Sequence, residues 1–329
     1  MDEIEPLTMR PSLPTASHTM TSAVVFAYHN VGVRCLLTLL ARDIDVKLVV
    51  THRDHANETI WFDSVEDTAA SHGIPVIAPE DAKDPALFDA VAHARPDFIF
   101  SFYYRHMLPA PLLALAARGA YNMHGSLLPK YRGRVPINWA IIHGETETGA
   151  TLHEMAARPD AGAIVAQTAV PILPDDTAHE VFIKVTVAAE QTLWRVLPDL
   201  VLGRAPRLVN DLASGSYFGG RKPEDGRIDW NASAAAIHNL VRAVAPPYPG
   251  ATTTIAGHAA VIERTRRVET SFDRAAPSST MIVADARCIA VCGDGQMIEI
   301  IRAHIRGRAY EGAELAALLG QGRHALGER

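Results

Sequence analysis

From residue 23 to residue 153 the chain alternates short apolar runs with helix-like stretches, and this alternation limits its fold more than any other feature. Strand-like runs fall at 23–28, 46–51, 75–77, 97–102 and 120–124. Between and after them, 31–42, 64–72, 85–94, 109–116 and 135–143 carry helical periodicity. Strands that are apolar throughout need cover on both faces, and strands linked by helices supply it as a parallel sheet between helical layers. The spacing predicts an α/β domain built on a Rossmann-like, mostly parallel sheet. Its first strand opens onto Tyr28-His29-Asn30-Val31-Gly32 and not onto a G-x-G-x-x-G turn. The close backbone approach to a pyrophosphate is missing, which argues against NAD.

Two more strands are expected at 149–154 and 163–171. Pro174-Asp175-Asp176-Thr177 then precedes a long amphipathic helix, 178–202, which closes the first domain. A linker rich in Gly, Arg and Pro follows, and Asp229-Trp230-Asn231 leads into a helix at 232–245 that Pro246-Pro247 stops. Beyond it, β-like runs at 251–255, 259–264, 281–284, 289–292 and 297–303 fit a small barrel. A length of 329 residues suits two domains. The expected division is an extension at 1–21, a Rossmann-like domain at 22–203, a linker at 204–226, a helix and small β domain at 227–319, and a tail at 320–329. The extension is rich in Pro, Ser and Thr, has no hydrophobic core and is expected to be disordered, with Met20 a candidate translation start.

Charge narrows the partners. The formal net charge is -6, and residues 251–329 hold ten Arg and no Lys against nine acidic residues, a net of +1. Neither figure describes the basic field that draws nucleic acid, so nucleic acid is not an expected partner. No apolar run reaches the ~18 residues that span a bilayer, and a cytoplasmic location is expected. Cys35, Cys288 and Cys292 form no disulfide framework and no zinc pattern. His52 and His55 flank Asp54, but with no further spaced ligand they read as solvated surface, so no metal is expected.

The chemistry concentrates between residues 120 and 162. Asn122 and His124 lie two residues apart at a strand end, so both side chains leave one face and address one ligand. Gly125-Ser126 and Leu128-Pro129 then break the strand into a loop. An amide donor beside an imidazole suits acyl transfer, where an oxyanion is stabilised while a proton moves. Asp160, before Ala161-Gly162, could return to the imidazole and orient it. The same residue types near turns also serve as caps and local backbone partners, and spacing alone leaves both readings open. Lys130, Arg132 and Arg134, with Tyr131 interleaved, form a basic cluster beside His124 suited to steering an anionic ligand.

The run Asn122-Met-His124-Gly-Ser-Leu-Leu-Pro-Lys-Tyr-Arg132-Gly, followed by Asp160-Ala-Gly162, resembles the signature of the 10-formyltetrahydrofolate-dependent formyltransferases. Phe98-Ile99-Phe100-Ser101-Phe102-Tyr103-Tyr104-Arg105-His106, Gly144-Glu145-Thr146-Glu147-Thr148-Gly149 and Asn239-Leu240-Val241-Arg242-Ala243-Val244 extend the likeness over most of the chain. The nearest branch formylates UDP-4-amino-4-deoxy-L-arabinose in lipid A modification and polymyxin resistance.

The resemblance implies an OB-like second domain, 10-formyltetrahydrofolate as co-substrate, and catalysis by Asn122, His124 and Asp160. It further implies a folate pocket lined by His106, Met107, Leu108, Arg134, Ala156, Ala157, Arg158, Pro159 and Asp160. For the nucleotide-sugar acceptor, Tyr217, Phe218 and Tyr248 offer stacking surfaces, and Arg221 and Arg242 offer charge for a diphosphate. Three rivals share the trio or the pocket: a methionyl-tRNA formyltransferase, a formyltetrahydrofolate hydrolase, and an inactive folate-binding module. The sequence sets no oligomeric state.

Overall fold

The structure, a computed structural model, describes residues 20–54, 59–268 and 277–327. The expected extension apart from Met20 and Thr21, His55, and the last two residues of the tail lie outside the described residues. The first domain runs β1 (Ser22–Ala27), α1 (His29–Leu40), β2 (Asp45–Val50), α2 (Val65–Ser71), β3 (Val76–Ile77), α3 (Pro85–Ala94) and β4 (Phe98–Phe102). It continues through α4 (Ala110–Leu113), β5 (Gly119–His124), β6 (Arg132–Gly133), α5 (Pro136–Ile142), β7 (Glu147–Glu154), β8 (Ile164–Pro171) and α6 (Ala178–Val201). Seven of these strands form one sheet in the order β3-β2-β1-β4-β5-β7-β8.

The strands from β3 to β5 pair in parallel, while β7 and β8 join antiparallel, so the sheet is mostly parallel as the alternation predicts. Alternate residues sort between two buried layers. Val25, Phe100, Tyr121 and Met123 face α1 and α6, whereas Val24, Phe26, Ile99 and Ala120 face α3 and α4. The order reverses between β1 and β4, and sheets of this kind take ligands beyond the carboxyl ends of the strands around such a reversal.

Helix α6 shows why the first domain closes where it does. Thr177 caps it with a reciprocal box: its hydroxyl accepts from the Glu180 N–H, and the Glu180 carboxylate accepts from the Thr177 N–H at 2.7 Å. Val181, Val185, Ala188, Ala189, Leu193, Val196 and Leu200 then recur at helical spacing and bury one stripe of the helix in the core.

The linker carries β9 (Tyr217–Phe218), which pairs in parallel with β6 and brings the linker back to the loop after β5. Then come α7 (Ala234–Val244), β10 (Ala251–Ile255), β11 (His258–Val268), β12 (Thr280–Ala284), β13 (Arg287–Val291), β14 (Met297–Ile305), β15 (Arg308–Glu311), α8 (Gly312–Leu319) and β16 (Gly322–Ala325). The second sheet is antiparallel in the order β10-β11-β14-β13-β12-β16. It curls until its two edges meet, with the Ala256 N–H donating to the Ala325 carbonyl at 2.9 Å and the Gly327 N–H to the Thr254 carbonyl at 3.0 Å. Two elements extend the expected small barrel: α8, which buries Leu315 and Ala316, and β16, which lies in the segment set aside as tail.

Candidate active site

Asn122 and His124 sit at the carboxyl end of β5 on the face that Ala120 shares with α3 and α4, so the two-residue spacing places them together as predicted. His124 is buried. Its Nε2–H donates to the Tyr131 carbonyl at 2.8 Å, which fixes the tautomer and leaves the lone pair on Nδ1. That carbonyl is held by a knitted loop. Ser126 Oγ donates to the Lys130 carbonyl at 2.7 Å, Thr151 Oγ1 donates to the Ser126 carbonyl at 2.6 Å, and the Tyr131 N–H donates to Ser216 Oγ at 2.8 Å.

Asp160 does return to the imidazole. Its Oδ1 lies 3.6 Å from His124 Nδ1, and its Oδ2 accepts the Gly133 N–H at 2.8 Å. A separation of 3.6 Å is beyond hydrogen-bond range, so the carboxylate matches charge at Nδ1 without bonding it. Gly133 can make this contact because it has no side chain. Its φ is +98°, and a Cβ there would stand 2.1 Å from the Phe218 carbonyl oxygen. Asp160 itself holds φ +48°, and Tyr103, Tyr131 and Val135 are also left-handed. Such conformations cost of order 1–3 kcal/mol each and gather at functional sites.

One residue at the site escaped the sequence reading. His153 on β7 is the register partner of Asn122 and is buried. Its Nδ1–H donates to the Glu154 carbonyl at 2.8 Å, so its Nε2 accepts from Asn122 Nδ2 at 3.1 Å. That bond sets the Asn122 amide, because the flipped amide would turn Oδ1 onto a lone pair. The second N–H of Nδ2 is left for a ligand. His153 Nε2 also lies 3.4 Å from Asp160 Oδ1, so the carboxylate stands between two imidazoles.

The electrostatics follow from this packing. Burial alone would raise the Asp160 pKa, but the His124 and His153 imidazoles in their protonated forms and the Gly133 N–H outweigh it and hold the carboxyl well below the usual range. Burial is the largest influence on His124 and lowers its pKa, against an opposing pull from Asp160 and the Tyr131 carbonyl. At neutral pH the site therefore rests as a carboxylate facing a neutral imidazole with a free Nδ1 lone pair.

Of the residues expected around the folate, Leu108 alone falls in the buried layer on the Asn122 face of β5. Leu108 is buried in one apolar cluster with Tyr104, and Met155 packs against it. His106 is half-buried and meets the His52 and Tyr104 rings edge-on, while Met107 is 57% exposed at the rim. Ala156, Ala157 and Arg158 are exposed on the turn between β7 and β8, which brings Pro159 and Asp160 back to the site. Arg134 is exposed beside Gly220.

The residues expected at the acceptor separate. Tyr217, Phe218 and Arg221 lie together next to β6. Phe218 is sandwiched, with ring centroids 5.5 Å from Tyr131 and 4.9 Å from Trp139, and both partners stack on it. Its faces are occupied, so it supports other rings and offers none of its own to a base. Tyr217 is 56% exposed, and Arg221 lies 5.0 Å over the Trp139 ring. Arg242 corrects the expectation that it meets a diphosphate. Buried on α7, it donates to the Leu173 and Asp176 carbonyls at 3.3 and 3.1 Å and to Asn239 Oδ1 at 3.0 Å, tying the second domain to the turn before α6. Tyr248 packs against both domain cores, with Trp61 6.3 Å away.

His52 accepts the Arg105 N–H at 3.0 Å and stacks on Tyr104 at 4.1 Å. Among the described residues no group of three or more His, Cys, Asp or Glu side chains could hold a metal ion, and no helix is long and apolar enough to cross a membrane.

A family model described as formyl transferase matches residues 24–197, and one described as formyl transferase, C-terminal domain, matches residues 221–317. Among solved structures the chain is similar to an N-formyltransferase from Helicobacter canadensis in complex with folinic acid and dTDP-3-aminofucose. The identity is 19% and the TM-score 0.68, over 86% of this chain and 99% of that one. It is similar to a 4-N formyltransferase from Francisella tularensis at 20% identity and a TM-score of 0.57, over 71% and 92% of the two chains. HypX from Aquifex aeolicus in complex with tetrahydrofolic acid matches at 18% identity and a TM-score of 0.60, over 89% of this chain and 46% of that one. At these identities the likeness is one of fold.

Proposed function

The chain belongs to the formyl transferase family, and from that membership we propose that it moves the formyl group of 10-formyltetrahydrofolate onto the 4-amine of a nucleotide-linked amino sugar. UDP-4-amino-4-deoxy-L-arabinose is the first candidate acceptor, which places the reaction in lipid A modification. The observation that carries the reading is the closed set of contacts around His124: a fixed tautomer, a free Nδ1, a carboxylate facing that nitrogen, and an oriented amide two residues away.

In the reaction the neutral amine attacks the formyl carbon, a C–N bond forms, and the carbonyl oxygen becomes an oxyanion. The second N–H of Asn122 Nδ2 donates to that oxygen. His124 takes the amine proton on Nδ1, and Asp160 stabilises the imidazolium while it lasts. The proton then passes to N10 as its bond to the formyl carbon breaks, so formylated amine and tetrahydrofolate leave with the imidazole neutral again. Tyr104, Leu108 and Met155 supply apolar walls for the flat pteridine, with His106, Met107 and the 156–160 turn around them. The nucleotide sugar approaches from the side of Tyr217 and Arg221.

Two features favour a sugar nucleotide over tRNA: the near-neutral second domain, and aromatic and basic groups gathered where the linker meets β6. The test is a panel of UDP-, dTDP- and GDP-linked 4-amino sugars beside methionyl-tRNA and glycinamide ribonucleotide, ranked by kcat/KM from tetrahydrofolate release. Fastest turnover of a nucleotide-linked 4-amino sugar is expected. Fastest turnover of the tRNA, tetrahydrofolate release that needs no amine, or indifference to the nucleotide contradicts the assignment.

A further inference from the structure

Arg132 is only 8% exposed, yet among the described residues its guanidinium has no hydrogen-bond acceptor and no carboxylate within ion-pair reach, and its Nε is enclosed without a partner. A buried cation without compensation is costly, and folded chains pair such charges or hold them for a ligand. The neighbouring cations differ. Lys130 Nζ reaches Glu145 at 3.3 Å, Arg134 and Arg158 are exposed to water, and Arg221 bonds the Asp225 carbonyl at 2.6 Å while lying over Trp139. Arg132 alone in this group combines burial with the lack of any partner.

Its place in the chain says which ligand it serves. The residue before it, Tyr131, gives its carbonyl to His124 Nε2, and the residue after it, Gly133, gives its N–H to Asp160 Oδ2, both at 2.8 Å. The backbone of residue 132 is thus fixed on both sides to the catalytic side chains. Given the acceptor reading above, on which this inference rests, we propose that Arg132 binds the diphosphate of the nucleotide sugar.

The other anion on offer is the glutamate tail of the folate, whose carboxylates lie beyond a whole p-aminobenzamide from N10. A single pyranose ring separates the acceptor's amine from its first phosphorus. The shorter separation fits a cation carried on the residue whose backbone neighbours hold His124 and Asp160, and the guanidinium fork matches two phosphate oxygens.

Calorimetric titration of the full chain with UDP and, separately, with folinic acid tests the proposal, using wild type, Arg132→Met and Arg132→Lys. Arg132→Met should weaken UDP binding by about 10- to 100-fold, as loss of a charge-assisted bidentate contact does, and leave folinic acid affinity within about twofold. Its melting temperature without ligand should be unchanged or higher, because an unmatched buried charge has been removed. Arg132→Lys, which keeps the charge and loses the fork, should fall between the two and serves as the reading if the Met variant does not fold. UDP affinity that is unchanged while the melting temperature drops makes Arg132 a structural residue and overturns the proposal. Loss confined to folinic acid overturns it in favour of the folate tail. Wild type that ignores UDP removes the acceptor reading and this inference together, an outcome separate from the other two.

Discussion

The catalytic cluster and the basic loop beside it are built on opposite principles. In the cluster every group is matched from within the chain: Asn122 by His153, His153 by the Glu154 carbonyl, His124 by the Tyr131 carbonyl, and Asp160 by Gly133. One residue away, Arg132 is buried without any match. On the proposed function, the difference teaches that the chemistry is preorganised by the fold, whereas the acceptor's diphosphate is left to complete the match at Arg132. Substitutions in the cluster should therefore reach turnover first, and substitutions around the loop should reach affinity first.

The largest expected effect lies in the cluster. His124→Ala removes the proposed proton carrier and should cut kcat by about 10²–10⁴ with a cooperative melt retained, measured as tetrahydrofolate release beside thermal unfolding. Near-normal turnover would erase the distinction between the two regions. His153→Phe should come next. It keeps the buried ring but frees the Asn122 amide, and kcat should fall roughly tenfold or more through loss of a preorganised donor, while the KM for the nucleotide sugar changes little. An effect confined to KM would make His153 a packing residue.

Arg242 sharpens the comparison from the other side. Because its guanidinium is spent on the Leu173 and Asp176 carbonyls and on Asn239, Arg242→Ala should lower stability by about 1–3 kcal/mol in urea unfolding and leave UDP affinity unchanged. Weakened UDP binding without loss of stability would return it to the acceptor site.

The smallest effect is on acid stability. Burial lowers the pKa of His124, and burial together with Arg105 and His179 lowers that of His29 to about 3. A group whose folded pKa lies below its unfolded value favours the folded state above the unfolded pKa and loses that advantage as pH falls. Stability should therefore hold above about pH 6.5 and decline below it as the unfolded histidines protonate first; a second decline, from Asp160, should begin near the unfolded carboxyl value of about 3.9. His29→Phe should flatten the first decline. A stability profile level from pH 7 to pH 4.5 would contradict these directions.

What the sequence revealed tracks the range over which each feature is decided. The parallel sheet was legible because apolar runs and helical stretches alternate locally, and the shared face of Asn122 and His124 because strand periodicity is local too. The pairing of Asn122 with His153 was not legible. It depends on β7 entering antiparallel in a particular register, and nothing within the run Thr151-Leu152-His153-Glu154 states that register. Arg242 was read as a ligand group because the sequence shows its charge and hides the carbonyls that α7 packs against. Phe218 was read as a stacking surface because its own partners, Tyr131 and Trp139, lie about eighty residues earlier. Strand β16, Gly-Arg-His-Ala, carries no apolar periodicity and owes its place to pairing with β12.

The central claim is that Asn122, His124 and Asp160 act as one unit on one transition state. Its most direct test is kcat/KM for formyl transfer from 10-formyltetrahydrofolate to a UDP-linked 4-amino sugar in wild type, Asn122→Ala, His124→Ala and the double variant. Members of one unit are strongly non-additive, so the double variant should be slower than the worse single variant by less than about threefold. Losses that multiply, with each substitution costing the same factor whether or not the other is present, would show independent contributions and contradict the account.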